Sequence, residues 1–541
     1  MEDLKITILG GCQQIGCNAT AFEYGDSIIV VDMGLGFPEG DVLGVDYLLP
    51  NISYLKQRRE NIRGIVITHG HLDHIGAIPY IGDNIGWPTI YAPAMASELI
   101  KVRAEDFGQK EQMDIQVYKS GDVLNLGPFK VSFARVTHNI PDSYSVFVHT
   151  PYGIVIVTGD WKFDNTPYKE PPTDYGAFTK ASEEGVLLLC SDSTNAMKSG
   201  WSDSESEISR DLEYLIEKAP GRVIASTFAS LITRLSQIVD ICRKLGRKIV
   251  ISGRSMETTV SIARHLKLIE ENGDVFVTRK DSKKLKDKNI CILATGSQGE
   301  ETSSLVKMAN DTHPDFKLKA GDTVILSSSV IPGNEMAIYH LMDKLTLKGA
   351  NVFHNELMDV HAGGHSHAED HKMMIHLTKP KFFMPVHGTP TYLYAHKKTA
   401  LSIGYPEEKI IVGENGLQVV FSDSYNPKVL RKAVPSDPVT VDGLGIGDVD
   451  KTVLSERNKL ADDGIVFITI ERKRGKIVVI SRGVVNDEEK MSFHEDIKKI
   501  VREAVDKGGD DKKVKNRIEG MVQEYIHSVL ARKPLVVPVV M

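Results

Sequence analysis

Four side chains able to bind a metal ion crowd into seven residues, Thr68-His69-Gly70-His71-Leu72-Asp73-His74. They follow an apolar run at 64–67 that reads as a strand, so the four share a tight loop at a strand end. Imidazole and carboxylate together suit zinc or a similar borderline cation. His69 and His71, two apart, can face one ion, and Asp73 and His74 a second ion about 3.5–4 Å away. Two ions need more ligands, and other expected strand ends offer them: His138 after Val136-Thr137, Asp160 after 154–159, and His387 after 382–386. One histidine in such a place is more often a packed or surface residue; the spacing of the set carries the reading.

The chain has 18 histidines, and six of them (His361, His365, His367, His371, His376, His387) crowd a second stretch. The remaining composition is ordinary: 541 residues, 41% hydrophobic, 25% charged, and a net charge of −7 from 65 Lys plus Arg against 72 Asp plus Glu. That balance excludes disorder as the dominant state, and no apolar run approaches the roughly 18 residues of a membrane helix. Met1-Glu2-Asp3-Leu4-Lys5 lacks the basic and apolar regions of a signal peptide, so a cytoplasmic protein with no membrane partner is expected. Five scattered cysteines with no CxxC pair read as small buried apolar residues. The mild negative charge argues against a polybasic coat but allows a local basic channel for nucleic acid. Two basic runs, 279–288 and 512–517, are interleaved with Asp and read as solvated surface.

The elements that must hold these residues change style along the chain. Residues 1–205 read as many short strands with interleaved helices, an α/β pattern rich in antiparallel strand. Residues 206–350 alternate β-rich runs (222–227, 248–252, 290–295, 323–328) with helical-period segments (230–245, 256–268, 301–309, 335–347). Such alternation implies a parallel, doubly wound sheet. Residues 351–425 return to the first style, with strands at 351–358, 381–386 and 409–412 and a hairpin signal at Asn415-Gly416. A stretch rich in Pro, Gly, Ser and Asp, 422–450, reads as a linker. Residues 451–541 offer two strands (464–471, 476–481) and amphipathic helices near 489–506 and 512–531.

The HxHxDH segment is the signature of the metallo-β-lactamase fold, and further motifs narrow the resemblance to the β-CASP nucleases, among them the ribonuclease J family. Matching segments run along almost the whole chain. They include Gly10-Gly11 with Ile15-Gly16, His138-Asn139-Ile140-Pro141-Asp142-Ser143, Thr158-Gly159-Asp160 and Ser191-Asp192-Ser193-Thr194-Asn195. Further on come Thr227-Phe228-Ala229-Ser230, Gly253-Arg254-Ser255-Met256, Thr295-Gly296-Ser297-Gln298-Gly299-Glu300, Ile331-Pro332-Gly333-Asn334-Glu335 and Val441-Asp442-Gly443. The resemblance implies an α/β chain: an αββα metallo-β-lactamase fold from 1–205 and 366–430, with an inserted parallel-sheet β-CASP domain at 206–365. A linker at 431–450 and a small α/β C-terminal domain at 451–541 would follow, the latter joining copies into a homodimer or homotetramer.

The resemblance also implies roles. His69, His71 and His138 would hold one divalent metal ion, Asp73, His74 and His387 the other, and Asp160 would bridge them. Zinc is the first choice of ion, and manganese or magnesium also fit. A hydroxide activated by the two metals would attack phosphorus in single-stranded RNA, by 5′-to-3′ exonucleolytic and endonucleolytic cleavage in RNA maturation and decay. Products would carry a 5′ phosphate and a 3′ hydroxyl. His365 would be the general acid, oriented by Asp192, and Asp73 would serve catalysis as well as binding. His387 at its motif is typical of RNA-directed members. Ser230, His361, Gly363 and Arg234 would bind substrate at its 5′ phosphate. His367, His371 and His376 read as ordinary exposed positions on the following helix.

Two segments depart from the family pattern. TFASNxHR has become Thr227-Phe228-Ala229-Ser230-Leu231-Ile232-Thr233-Arg234, and HxSGH has become His361-Ala362-Gly363-Gly364-His365. Leu231, Thr233 and Gly363 stand where Asn, His and Ser are usual, and each such polar contact is worth about 1–3 kcal/mol. Weakened discrimination for a 5′ monophosphate is expected, with the Gly363 N–H remaining as a donor. Two other readings compete. A small-ester or lactam hydrolase would share the metal core, but an inserted domain would obstruct its substrate. A non-catalytic RNA scaffold would need none of Asp73, Asp160, His365 and His387.

Overall fold

The computed structural model describes every residue except 1, 39–41, 271–274, 332, 356, 359, 444 and 473. Pro332 of the 331–335 motif and Glu356 of the strand expected at 351–358 therefore lie outside the described residues. Contacts divide the chain into two compact units, 1–37 with 48–439, and 38–47 with 440–541.

The first unit contains two sheets packed face to face. One runs, in spatial order, Lys428–Leu430, Gln418–Phe421, Leu4–Gly10, Ala19–Tyr24, Ser27–Val31, Ile62–Val66, Ile90–Ala92 and Ile115–Val117. The other runs Phe382–Val386, Val186–Asp192, Gly153–Val157, Tyr144–Thr150, Phe129–Arg135 and Val123–Leu126. Alternate residues of both bury inward, and Ile6, Phe22, Val131, Val155, Leu188 and Phe421 share one core. Helices Tyr175–Glu184, Ala368–Thr378 and Pro390–Ser402 cover the second sheet through Trp161, Phe178, Met374 and Phe383. Segments far apart in sequence meet in register: Leu4 pairs with Phe421, and Asp192 with Val386. The strand ends that carry Asp192 and His387 are thereby neighbours.

Between these segments stands a five-stranded sheet, ordered Lys248–Ser252, Ile290–Ala294, Val223–Ser226, Thr323–Leu326 and Asn351–Phe353, with every pairing parallel. Separate cores on its two sides, one with Leu235 and Val260, the other with Leu305 and Leu341, bury both faces as parallel sheets require. The second unit packs Lys490–Asp506 and Asp511–Leu530 on a sheet ordered Lys476–Arg482, Ile465–Glu471 and Leu535–Val540.

Several local expectations need correction. The strand expected at 351–358 stops at Phe353, and 409–412 contributes only a single bridge, Ile410 to Phe383. Asn415-Gly416 closes no hairpin: Asn415 Oδ1 accepts from the Cys12 N–H (2.9 Å) and Gly416 N–H donates to the Ile8 carbonyl (2.8 Å). The stretch expected as a linker holds a strand pair, Val439–Asp442 with Gly445–Ile446. Strand Leu535–Val540 was hidden by Pro538, which an edge strand tolerates. Helix Lys451–Asp463, capped by Asp450, is too polar to show a clear apolar stripe. Among the described residues all five cysteines are buried and free, and no helix is long and apolar enough to cross a membrane.

Candidate metal centre

His69 and His71 lie on the loop that follows the strand Ile62–Val66, and one helical turn, Leu72–Ile75, carries Asp73 and His74. Gly34 allows this loop to settle, because a Cβ there would stand 1.5 Å from the Asp73 carbonyl oxygen. Two clusters result. His71 Nδ1 lies 3.1 Å from both His69 Nε2 and His138 Nε2. Asp160 Oδ2 is 3.6 Å from His69 Nε2 and 3.8 Å from His138 Nε2. The other oxygen, Oδ1, is 3.2 Å from His74 Nε2 and 2.7 Å from His387 Nδ1. Asp73 Oδ2 completes this second cluster, 3.6 Å from His74 and 3.5 Å from His387. Tetrahedral ligands at the usual zinc distance lie about 3.3 Å apart, so both clusters have the spacing of a coordination shell and Asp160 turns one oxygen to each. Beside them, His365 Nδ1 meets Asp192 Oδ2 at 2.8 Å.

Further contacts fix the rings. His138 Nδ1 donates to the Gly364 carbonyl (2.6 Å), and a Cβ on Gly364 would come within 2.5 Å of that ring. His74 Nδ1 donates to Asp32 Oδ2 (2.7 Å), which also accepts from the Thr68 hydroxyl (2.9 Å). That hydroxyl lies 3.0 Å from His69 Nδ1. For His138 and His69 the tautomers so implied leave the opposite ring nitrogens as lone pairs toward the centre. Asp32 and Thr68 were missed in the sequence, although Asp32 ends a strand as Asp160 does.

Burial drives His69 and His138 well below the usual histidine range and His71 down to about 4, so all three are neutral. Burial should raise Asp160 and Asp73, yet both are held below the ordinary carboxylate range by the imidazoles of His74 and His387. Those two histidines are in turn raised against burial, by Asp160 first. Convergent imidazoles and carboxylates are donor sets that divalent cations satisfy, so the residues fit two divalent ions. His365 is also raised against burial, by Asp192 and then Asp160.

The residues expected around a substrate 5′ phosphate fare differently. Ser230 and Gly363 are half-buried, and His361 is buried with neither ring nitrogen partnered among the described residues. Arg234 faces the interior. It is 0% exposed, pairs with Glu205 (2.8 Å), and donates to the Ser327 hydroxyl (2.7 Å) and to the Val360 carbonyl. Its guanidinium holds the backbone beside His361, while Nε has no hydrogen-bond partner among the described residues. Leu231 is buried, and the Thr233 hydroxyl donates to Glu170 Oε1 (3.3 Å). His376 is exposed as expected, but His367 and His371 are buried, because helix Ala368–Thr378 lays that side on the sheet.

Comparison with known proteins follows the same outline. Residues 13–253 match the metallo-beta-lactamase superfamily, 220–345 the ribonuclease J beta-CASP domain, 357–411 the Zn-dependent metallo-hydrolase RNA specificity domain, and 452–541 the ribonuclease J C-terminal domain. A ribonuclease J of Thermus thermophilus is 37% identical over 100% of this chain and 95% of its own. The chain belongs to the ribonuclease J family. Ribonuclease J2 of Bacillus subtilis is 34% identical over 100% of this chain and 99% of its own, and a ribonuclease J of Synechocystis sp. 40% identical over 86% and 72%. A crystal structure of a protein of unknown function from Enterococcus faecalis V583 covers 77% of this chain and 100% of its own (TM-score 0.55, 17% identity), a likeness of fold. Ribonuclease J membership makes the chain a hydrolase of the metallo-β-lactamase type whose substrate is RNA.

Proposed function

We propose that the chain cuts single-stranded RNA at this centre, both 5′-to-3′ from the end and internally, in RNA maturation and decay. The observation that carries the reading is the convergence of two ligand clusters on the shared Asp160, with the Asp192–His365 pair alongside. His69, His71 and His138 would hold one ion, and Asp73, His74 and His387 the other. Zinc suits the imidazole-rich set, and manganese or magnesium also fit the carboxylates. Bound divalent ions supply Lewis-acid activation of water and neutralise charge on the phosphate. His365 donates its proton to the leaving 3′ oxygen, giving a 3′ hydroxyl and a 5′ phosphate, and Asp192 aims the ring and stabilises its charge.

Discrimination for a 5′ monophosphate is weak in this reading. Leu231, Thr233 and Arg234 are turned inward, leaving Ser230, His361 and the Gly363 N–H as donors. The remaining assignments belong to the same proposal: a metallo-β-lactamase domain from 1–205 and 366–430, a β-CASP domain at 206–365, a dimer or tetramer joined through 451–541, and a cytoplasmic location. The test is cleavage of end-labelled and internally labelled RNA. His365→Ala and Asp192→Asn should lower kcat by about 10²–10⁴ with bound metal unchanged. Absence of RNA cleavage by the metal-loaded wild type would overturn the reading.

A further inference from the structure

Behind the centre lies a buried polar set that the mechanism above does not use. Ser193 directly follows Asp192. Its N–H donates to the His387 carbonyl (3.1 Å), and its hydroxyl meets His396 Nδ1 at 3.1 Å. His396 sits on helix Pro390–Ser402, which begins just past His387. Its ring stacks, tilted, at 3.8 Å on His371 of helix Ala368–Thr378, which begins just past His365. Trp161, next to Asp160, stands edge-on to His371 at 5.7 Å, and its carbonyl accepts from the hydroxyl of Ser366, the neighbour of His365 (2.7 Å). The chain segments bearing Asp160, Asp192, His365 and His387 are thus tied into one buried cluster.

That cluster is a poor choice for stability alone. His371 and His396 are both 0% exposed. Burial takes His396 down to about 3 and His371 well below its usual range, so both are neutral. Nε2 of His396 has no hydrogen-bond partner among the described residues. Buried polar atoms are ordinarily paired, and two apolar rings would fill the space with less desolvation. Local choices of this kind are expected where function constrains the sequence.

We propose that Ser193 and His396, backed by His371, are positioning residues that fix Asp192, and through it His365, against the metal-binding side chains. The inference rests on the roles proposed above for Asp192 and His365. Asp192 reaches His365 at 2.8 Å and lies 3.4 Å from His387, so a shift of the Ser193 turn moves both contacts. His396→Phe keeps the ring and its packing but removes the nitrogen; His396→Asn returns a polar atom near the Nδ1 position. With metal saturating, His396→Phe should lower kcat on RNA about tenfold, while KM, bound metal and thermal midpoint stay near wild type. His396→Asn should recover most of that loss. Ser193→Ala should match His396→Phe, and the double variant should be no slower than either single. Wild-type kcat in His396→Phe, equal loss in His396→Asn, or multiplying single effects would overturn the proposal. If His396→Phe does not fold, Ser193→Ala decides, and wild-type kcat there overturns it. Wild-type kcat in Asp192→Asn would instead contradict the reading on which the proposal rests.

Discussion

At the centre, His69, His71 and His138 turn neutral ring nitrogens toward one another at 3.1 Å, and Asp160 opens one oxygen to each cluster. At the segment expected to hold a 5′ phosphate, polar groups turn on each other: Arg234 grips Glu205, and Thr233 bonds Glu170. The first arrangement has donors placed so that cations could be held between them. The second is largely complete as it stands. Residue type alone does not make a binding site; what matters is whether the donors are left unspent by the fold. On the function proposed above, the difference would separate a hydrolytic centre from a reduced reading of the RNA end.

The comparison can be broken from either side. The largest effect is expected from Asp160→Ala, which takes a ligand from both clusters at once. RNA cleavage at saturating zinc should fall by more than about 10³-fold, with less metal bound per chain by elemental analysis. A rate near wild type would remove Asp160 from the centre. Next is Arg234→Met, which leaves Glu205 buried without its guanidinium. Breaking such a pair costs about 3–5 kcal/mol, to be read from urea unfolding of the metal-loaded protein. A variant as stable as wild type would return Arg234 to the pool of substrate-binding residues.

Smaller effects sharpen the contrast. Asp32→Asn keeps the shape beside His74 and Thr68 but removes the charge. Metal affinity should drop about 10–100-fold, measured by competition with a chelating dye. Smallest is the wild-type ratio of exonucleolytic rates on 5′-monophosphate and 5′-triphosphate RNA, expected within about threefold of one. The triple variant Leu231→Asn, Thr233→His, Gly363→Ser should raise it about tenfold, within the range of one polar contact. Gly363→Ser is sterically open, since among the described residues a Cβ there meets only Asn195 Nδ2, at 3.4 Å. A strong monophosphate preference in the wild type would contradict the account of this segment.

The residues that the structure brings together were legible in the sequence because their key spacings are local or fall at strand ends. HxHxDH needs only a strand, a loop and one helical turn, and His138, Asp160 and His387 each follow an apolar run that forms as expected. Burial and pairing across the chain were not legible. Nothing in the motif around Arg234 says that its partner, Glu205, will be buried 29 residues earlier. Nor does the spacing of His371 reveal that it faces His396 on a neighbouring helix. Helix and strand are not foreseen where composition works against the element, as at Pro538 and along the polar helix Lys451–Asp463. The core pattern of the parallel sheet was readable because strands buried on both faces are continuous apolar runs.

The central claim, that buried ligands around Asp160 hold the ions that make this chain cut RNA, has one direct measurement. Chelator-stripped protein is titrated with zinc or manganese while cleavage of internally labelled RNA and bound metal are followed together. The account predicts no cleavage without metal, recovery in step with metal up to two ions per chain, and no recovery in a His71→Ala/Asp73→Ala variant. Cleavage that survives chelation, or equal cleavage by that variant, would contradict it.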